Sequence, residues 1–323
     1  MGEFDLIRQY FTRDKRSERR DILQNIGDDC AVTSIESNQQ LAITTDTLVV
    51  GTHFLPTISP ADLAHKAIAV NLSDLAAMGA KPSWVSLALT LQEIDHCWLS
   101  QFSQSLFEVL DRYDIALIGG DTTKGNLSLT LTAQGVLPKS RGLFRHNAKV
   151  GDRIYVSGNL GDSAAGLDIL LNPTKQNRNS AQNTLIERHL RPTPRVELGQ
   201  ILLDYSRCAI DISDGLLADL GHILNRSQCS AEIDLDKLPL SQALLSCYSV
   251  KQAQQFALSG GEDYELCFTV AEQHCAKLEQ TLSKLAIPFY AIGQITDISQ
   301  PLRLLKQGKT MPLPARIGFD HFG

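Results

Sequence analysis

No apolar run in this 323-residue chain approaches the roughly 20 residues needed to cross a bilayer, and its first residues, MGEFDLIRQYF, lack the basic-then-apolar order of a secretory signal. The chain reads as cytoplasmic, with no membrane partner. Positive charge is not in excess either: 30 Lys and Arg stand against 36 Asp and Glu, a formal charge of −6. Nucleic acid is therefore not a favoured partner. The one basic run, RDKRSERR at 13–20, is interspersed with acids and reads as a solvated helix end or loop. Seven cysteines, odd in number and without a CxxC pair, point to neither a disulfide framework nor a zinc site; they read as small core residues. Walker A, HxH, HExxH and G-x-S-x-G patterns are absent. GNLGDSAAG at 158–166 follows a strand and enters a helix, but its spacing, G-x-x-G-x-x-x-x-G, is not the dinucleotide fingerprint. The two tryptophans, Trp84 and Trp98, read as core or interface residues.

What the chain does have is enough apolar residue, 43%, for the core of one large or two ordinary domains. Its first half alternates β-branched strand patterns, DCAVTSI and QLAITTDTLVV, SWVSLALTL, IALIGGD and LSLTLTAQGVL, with two helical patterns. The first helix has Ser59 at its N-cap, Pro60 at the first helical position and Gly79 past its end, with Pro82 as a stop. Adjacent strands without an intervening helix argue for a mixed or antiparallel sheet. A polar stretch before RIYVSG sets a domain boundary near residue 148, giving domains 1–148 and 149–323 in an α/β (α+β) chain. The second half mixes helices (SAAGLDILL, TLIERHL, RVELGQILLDY, LLADLGHIL) with strands (AEIDL, YELCFTV, FYAIGQIT), and 171–183 reads as a surface loop.

Aspartates at strand ends or in apolar surroundings carry the chemistry: Asp28 and Asp29, Asp46, Asp74, Asp121, and Asp211 with Asp214. Any one of them reads equally as a cap or a turn residue. As a set, buried carboxylates without accompanying lysine or arginine require another compensating charge, and Mg²⁺, which takes carboxylate oxygens and shares phosphate oxygens, supplies it. Strand alternation allows only one of Asp28 and Asp29 into a given cluster. Asp74 falls on the helical stripe of Leu63, Ala67, Val70 and Met78, so it faces the protein. In CAIDISD, Asp211 and Ser213 share a strand face, while Asp214, just before Gly215, is also placed to cap the following helix. His53 follows the TTD strand closely enough to reach the same pocket. The glycines of GGDTT and SGGED permit either tight turns or close approach to phosphate.

In order, IGDDCAV, TTDTLVVGTHF, AVNLSDLAAMGAKP, IGGDTT, R-x-x-A-K-x-G-D, SGNLGDSAAGL, HLRPTPR, AIDISDGLLADLGHI, LSGGEDYELCF and GFDHF resemble the thiamine-monophosphate kinase family, within the aminoimidazole-ribonucleotide synthetase-like superfamily. The resemblance implies transfer of a phosphoryl group from ATP to thiamine monophosphate. It also implies a cytoplasmic homodimer whose N-terminal sheet domains form a shared barrel, with a C-terminal α+β domain completing an active-site cleft. Carried onto matching positions, Asp29, Thr44, Thr45, Asp46, Asp74, Asp121, Asp211 and Asp214 would hold several Mg²⁺ ions. Gly120, Asp121, Arg145 and Ser213 would contact ATP; His53, Glu262 and Phe319 would line the thiamine monophosphate site, Phe319 offering ring stacking without a hydroxyl. No general base is assigned. Two alternatives stand beside this: a non-catalytic nucleotide or thiamine-phosphate sensor, and another ATP-using enzyme of the superfamily. A selenophosphate synthetase would carry a reactive Cys near its N-terminus, and residues 1–29 hold none.

Overall fold

Ser59 starts a 19-residue helix, α2 below, by accepting the Asp62 N–H at 3.0 Å and donating to its carboxylate at 2.7 Å, a reciprocal cap readable in SPAD. A computed structural model describes residues 3–13, 19–27, 29–173, 177–315 and 317–318, the side chains of residues 3 and 4 excepted. By its internal contacts the chain divides into two units, Met1–Leu75 with Ala80–Arg141, and Ala76–Gly79 with Gly142–Gly323.

The first unit contains α1 (Glu3–Tyr10), β1 (Ile22–Gln24), β2 (Val32–Thr33), β3 (Gln39–Val49), most of α2 (Pro60–Met78), β4 (Lys81–Leu91), α3 (His96–Arg112), β5 (Ala116–Lys124) and β6 (Ser128–Pro138). Four strands form a sheet in the order β3-β6-β4-β5. The β3–β6 and β6–β4 pairs are antiparallel and β4–β5 is parallel, so the sheet is mixed, as the adjacent strand patterns imply. Leu129, Leu131, Ala133 and Leu137 alternate inward along β6, while α2 buries Leu63, Ala67, Ile68, Leu72 and Leu75. Three expectations need correcting. Pro82 is no stop: it lies inside β4 beside a register shift, where a missing N–H is tolerated. DCAVTSI shrinks to the two residues of β2, whose strand partner among the described residues is the three-residue β1. Of the basic run, residues 14–18 lie outside the described residues, but two of its arginines are docked: Arg19 donates to the carbonyls of Ser83 (3.1 Å) and Asp114 (2.8 Å), and Arg13 lies 3.7 Å over the Phe107 ring.

The second unit carries β7 (Arg153–Ser157), α4 (Asp162–Leu171), α5 (Ser180–Leu190), α6 (Val196–Leu202), β8 (Cys208–Asp211), α7 (Leu216–Ser227), β9 (Ser230–Asp234), α8 (Gln242–Cys247), α9 (Val250–Ser259), β10 (Leu266–Val270), α10 (Glu272–Lys284), β11 (Phe289–Thr296), β12 (Arg303–Lys306) and β13 (Lys309–Met311). Its seven-stranded sheet runs β13-β12-β9-β11-β7-β10-β8, antiparallel except where β12 joins β9. Ile154 and Val156 of β7, Cys208 and Ile210 of β8, and Leu220 and Ile223 of α7 meet in one core. Of the seven cysteines, all unpaired, Cys208, Cys229, Cys267 and Cys275 are buried, whereas Cys30 and Cys97 are exposed, contrary to a general core role. Among the described residues no helix is long and apolar enough to cross a membrane.

Candidate active site

Alternation along β3 sorts its polar residues onto two faces. Thr44 and Asp46 point inward with Leu48; Thr45 and Thr47 point outward. On the inward face the Thr44 hydroxyl donates to Oδ2 of Asp74 from α2, which puts Asp74 on the protein side of its helix. Burial, and then the nearby Asp74 charge, push the Asp46 carboxyl up to about 6. On the outward face Thr45 and Thr47 pair their hydroxyls with Thr132 and Thr130, each at 2.9 Å.

Strand register carries these faces across the sheet. Asp46 is opposite Leu131, Leu131 opposite Leu87, and Leu87 beside Gly120, so Gly120 ends the row that Asp46 begins. Three strand spacings of about 4.8 Å put roughly 14 Å between their backbones. Asp121 belongs to the next row, Thr47–Thr130–Ala88–Asp121, and so to the outward face. A Cβ at Gly120 would stand 1.8 Å from the Leu87 carbonyl oxygen, which explains why glycine is needed there. Beside β5, a pocket of ≈ 730 Å³ brings Asp29, Gly120 and Asp121 together, with Asn25 and Gln134 among its polar walls. Asp28 lies outside the described residues. The His53 ring turns back on β3: its Nδ1 accepts the Val49 N–H at 3.0 Å, so the neutral ring carries its proton on Nε2.

In the second unit, Asp211 is the last residue of β8 and is only 3% exposed. The strand stops there, so alternation does not extend to Ser213, which with Asp214 lies in the bend before α7. Asp214 is not the cap. The N-cap is Gly215, at φ 116°, and the carboxylate of Asp219, one turn inside the helix, reaches back to accept the N–H groups of Asp214 (3.0 Å) and Gly215 (3.1 Å). With Gly215 at the N-cap and Asp219 making those bonds, Asp214 does not hold the cap position that the sequence rule gave it. Residues 262–265 lie along this bend: the Glu262 N–H donates to the Ser213 carbonyl (2.7 Å) and the Tyr264 N–H to the Ile212 carbonyl (2.9 Å). Arg145 is exposed, and its carbonyl accepts the Ser227 hydroxyl at 2.8 Å. Phe319 lies outside the described residues.

Sequence reasoning missed the groups that hold this loop. Asp263 caps α4 by accepting the N–H groups of Gly161 (2.6 Å) and Ser163 (3.1 Å), and burial pushes its carboxyl up to about 8. Glu265, 3% exposed, takes Arg195 in a two-point pair at 2.6 and 2.5 Å and the Ser157 hydroxyl at 2.6 Å. The signal was present: GGEDYE places both acids next to Glu262, and HLRPTPR contains Arg195.

Among the described residues no group of three or more His, Cys, Asp or Glu side chains converges to cage a cation. What the first unit offers is a pair of neighbouring carboxylates, Asp46 and Asp74, at least one of them hard to ionise unaided. Such a pair suits Mg²⁺, which usually takes one or two carboxylates from a protein and the rest of its oxygens from water and phosphate. A phosphate-rich ligand would complete it.

Residues 27–137 match the family model for the AIR synthase related protein, N-terminal domain, and residues 149–300 match that for the C-terminal domain. Over 326 residues, covering 100% of this chain and 98% of the relative, the sequence is 58% identical to the thiamine-monophosphate kinase of Haemophilus influenzae. It is 54% identical to that of Escherichia coli K12, covering 99% of this chain and 98% of the relative. Among solved structures, thiamine-monophosphate kinase from Stenotrophomonas maltophilia K279a superposes with a TM-score of 0.84 at 44% identity, covering 91% of this chain and 93% of the other. AaThiL complexed with AMPPCP and TMP does so with a TM-score of 0.78 at 32% identity, covering 99% and 96%.

Proposed function

The chain belongs to the thiamine-monophosphate kinases among the AIR synthase related proteins, and on that premise we propose that it transfers the γ-phosphoryl group of ATP to thiamine monophosphate, giving thiamine diphosphate and ADP. The observation that carries this is identity of 58% along the whole chain, not over one motif. A relative of the same fold takes AMPPCP, an ATP analogue, together with TMP.

The absence of an assigned base agrees with the chemistry. A phosphate monoester has its second pKa at about 6, so near neutral pH the acceptor is already a dianion and a nucleophile. Transfer is in line and direct, without a phospho-enzyme; the protein's share is to position the two phosphates and to lower their mutual repulsion. Mg²⁺ supplies that neutralisation when bound. Asp29, Thr44, Thr45, Asp46, Asp74 and Asp121 of the first unit, and Asp211 and Asp214 of the second, are the proposed ligands. Support comes from the burdened Asp46–Asp74 pair and from the pocket holding Asp29 and Asp121. Gly120, Asp121, Arg145 and Ser213 would meet ATP; Gly120 brings bare backbone to the pocket wall. His53, Glu262 and Phe319 would meet thiamine monophosphate, His53 offering its Nε2–H and Glu262 a carboxylate for the acceptor's cationic, amine-bearing end.

The enzyme would act in the cytoplasm as a homodimer. Leu41 and Ile43, 43% and 61% exposed on the outward face of β3, are apolar surface that a second copy would cover; sedimentation measures this.

Incubation with ATP, Mg²⁺ and thiamine monophosphate, following thiamine diphosphate and ADP, tests the activity. Tight binding of both ligands without either product would replace the kinase with a sensor. Consumption of thiamine in place of its monophosphate would overturn the acceptor. Asp211→Asn should lose Mg²⁺-dependent ATP binding while keeping its fold.

A further inference from the structure

Glu262 is held at its backbone in a conformation that non-glycine residues seldom adopt. Its φ is 67°, in the left-handed region, and its N–H is tied to the Ser213 carbonyl at 2.7 Å. Such strain persists only where surrounding structure enforces it. The side chain has an anchor of its own: Oε2 lies 3.3 Å from Nδ1 of His189, which projects from α5 and is 3% exposed. The same Nδ1 is 3.1 Å from the Ser163 hydroxyl, and the Ser163 N–H donates to Asp263, the residue after Glu262. Glu262, Asp263 and Glu265 are thus each held from the other side, by α5, by the start of α4, and by Arg195 with Ser157.

Two features make His189 more than a neighbour. A carboxylate oxygen only accepts, so Nδ1 anchors Glu262 in the tautomer that carries its hydrogen there, with the Ser163 hydroxyl as the second oxygen at the same nitrogen, and a ring buried to 3% cannot trade these partners for water. The ring is also placed by backbone packing. Gly166 of α4 lets α5 approach so closely that a Cβ there would stand 2.2 Å from the Leu185 carbonyl oxygen and 3.0 Å from the His189 Cβ. Little freedom remains to move the imidazole away from Glu262.

We propose that His189 is a positioning residue for the acceptor: through Nδ1 it fixes the Glu262 carboxylate toward the cationic, amine-bearing end of thiamine monophosphate. This rests on Glu262 lining the acceptor site. The effect falls on recognition of the acceptor, because a carboxylate has nothing to offer the phosphates of ATP.

The test separates KM for thiamine monophosphate from KM for ATP in the intact enzyme. His189→Gln, whose amide nitrogen falls near the Nε2 position, removes the Nδ1 donor; His189→Asn keeps a donor near Nδ1. His189→Gln is expected to raise KM for thiamine monophosphate about tenfold while KM for ATP moves less than about twofold, and His189→Asn to recover to within about threefold of the parent. In a Glu262→Ala background, His189→Gln should add less than about twofold. Equal rises in both KM values, full additivity with Glu262→Ala, or no difference between Asn and Gln would overturn the proposal. If His189→Gln does not fold, as judged by its melting temperature, His189→Asn still decides: a KM as high as that of Glu262→Ala overturns it. A Glu262→Ala variant with unchanged KM for thiamine monophosphate removes the premise instead, and the inference with it.

Discussion

Asp46 on β3 and Asp74 on α2 are two carboxylates close enough for the charge of one to oppose ionisation of the other, with the Thr44 hydroxyl already donated to Asp74. Burial contributes more than that repulsion to holding the Asp46 carboxyl near 6. Asp74→Asn removes the smaller cause only, so the Asp46 carbon resonance should titrate lower than in the parent, though still above the ordinary 3.8. Saturating Mg²⁺ should lower it further in the parent, because a cation favours the ionised form. A titration unmoved by Mg²⁺ would remove Asp46 from the metal site.

Arg195 and Glu265 form a two-point ion pair, with side chains 16% and 3% exposed. Arg195→Met takes the two-point partner from a buried carboxylate and leaves it Arg188 at 3.7 Å and the Ser157 hydroxyl, and urea unfolding should show a loss of about 3 kcal/mol. Adding Glu265→Gln removes the under-compensated charge, so the double variant should recover a good part of that loss. A loss of only about 0.5 kcal/mol or less for the single change would mean that the pair behaves as a surface bridge.

Gly119 and Gly120 are adjacent and chemically identical, yet a Cβ at Gly119 meets nothing within 4 Å while one at Gly120 meets the Leu87 carbonyl oxygen at 1.8 Å. Gly120→Ala should therefore cost about 2 kcal/mol or more and weaken ATP binding, whereas Gly119→Ala should cost under about 0.5 kcal/mol. Thermal melts of the two variants compare them directly; equal melting temperatures would refute the close approach of β5 to β4.

Burial raises the Asp263 carboxyl from 3.8 to about 8. A group whose folded value is raised favours the protonated folded state, so its contribution to stability is full below 3.8 and is lost as pH climbs toward about 8. Asp263→Asn cannot ionise and escapes that loss. Whatever the variant's melting temperature at pH 5, its difference from the parent should shift in the variant's favour by pH 8; a constant difference across this range contradicts the raised value.

Local signals made much of the fold legible. The start of α2 was written in Ser59, Pro60 and Asp62, and its end in Gly79, because caps and turns depend on residues close in sequence. β3 and β6 were visible in their β-branched residues and alternation. α9 was missed although Ser249 and Gln252 form a complete capping box at its start, and α10 although Cys275, Leu278 and Leu282 mark its buried stripe. Other features were out of reach of any local rule. Asp219 displaced Asp214 as the helix-start acceptor by folding back over five positions, and Arg195 meets Glu265 across 70 residues of chain. For the candidate site, Asp74 pointing inward followed from helical geometry and the sorting of Thr44 and Asp46 away from Thr45 from alternation along β3, while placing Asp121 on the face opposite to Asp46 needed the pairing register.

That register also limits which changes in chain length the first unit can accept. β3 and β6 pair without a bulge from Gln39 opposite Pro138 to Val49 opposite Ser128. Deleting one residue between Leu41 and Ile43 while the far end of the strand keeps its pairing would shift only the edge near Gln39. Deleting one between Asp46 and Leu48 under the same condition would turn Thr44 and Asp46 outward, away from Asp74, and bring Thr45 to face α2. Viable insertions and deletions are therefore confined to the edges of this ladder and to its connecting loops, and the spacing between Thr44 and Asp46 is a ruler that sequence drift can recolour but not re-mark.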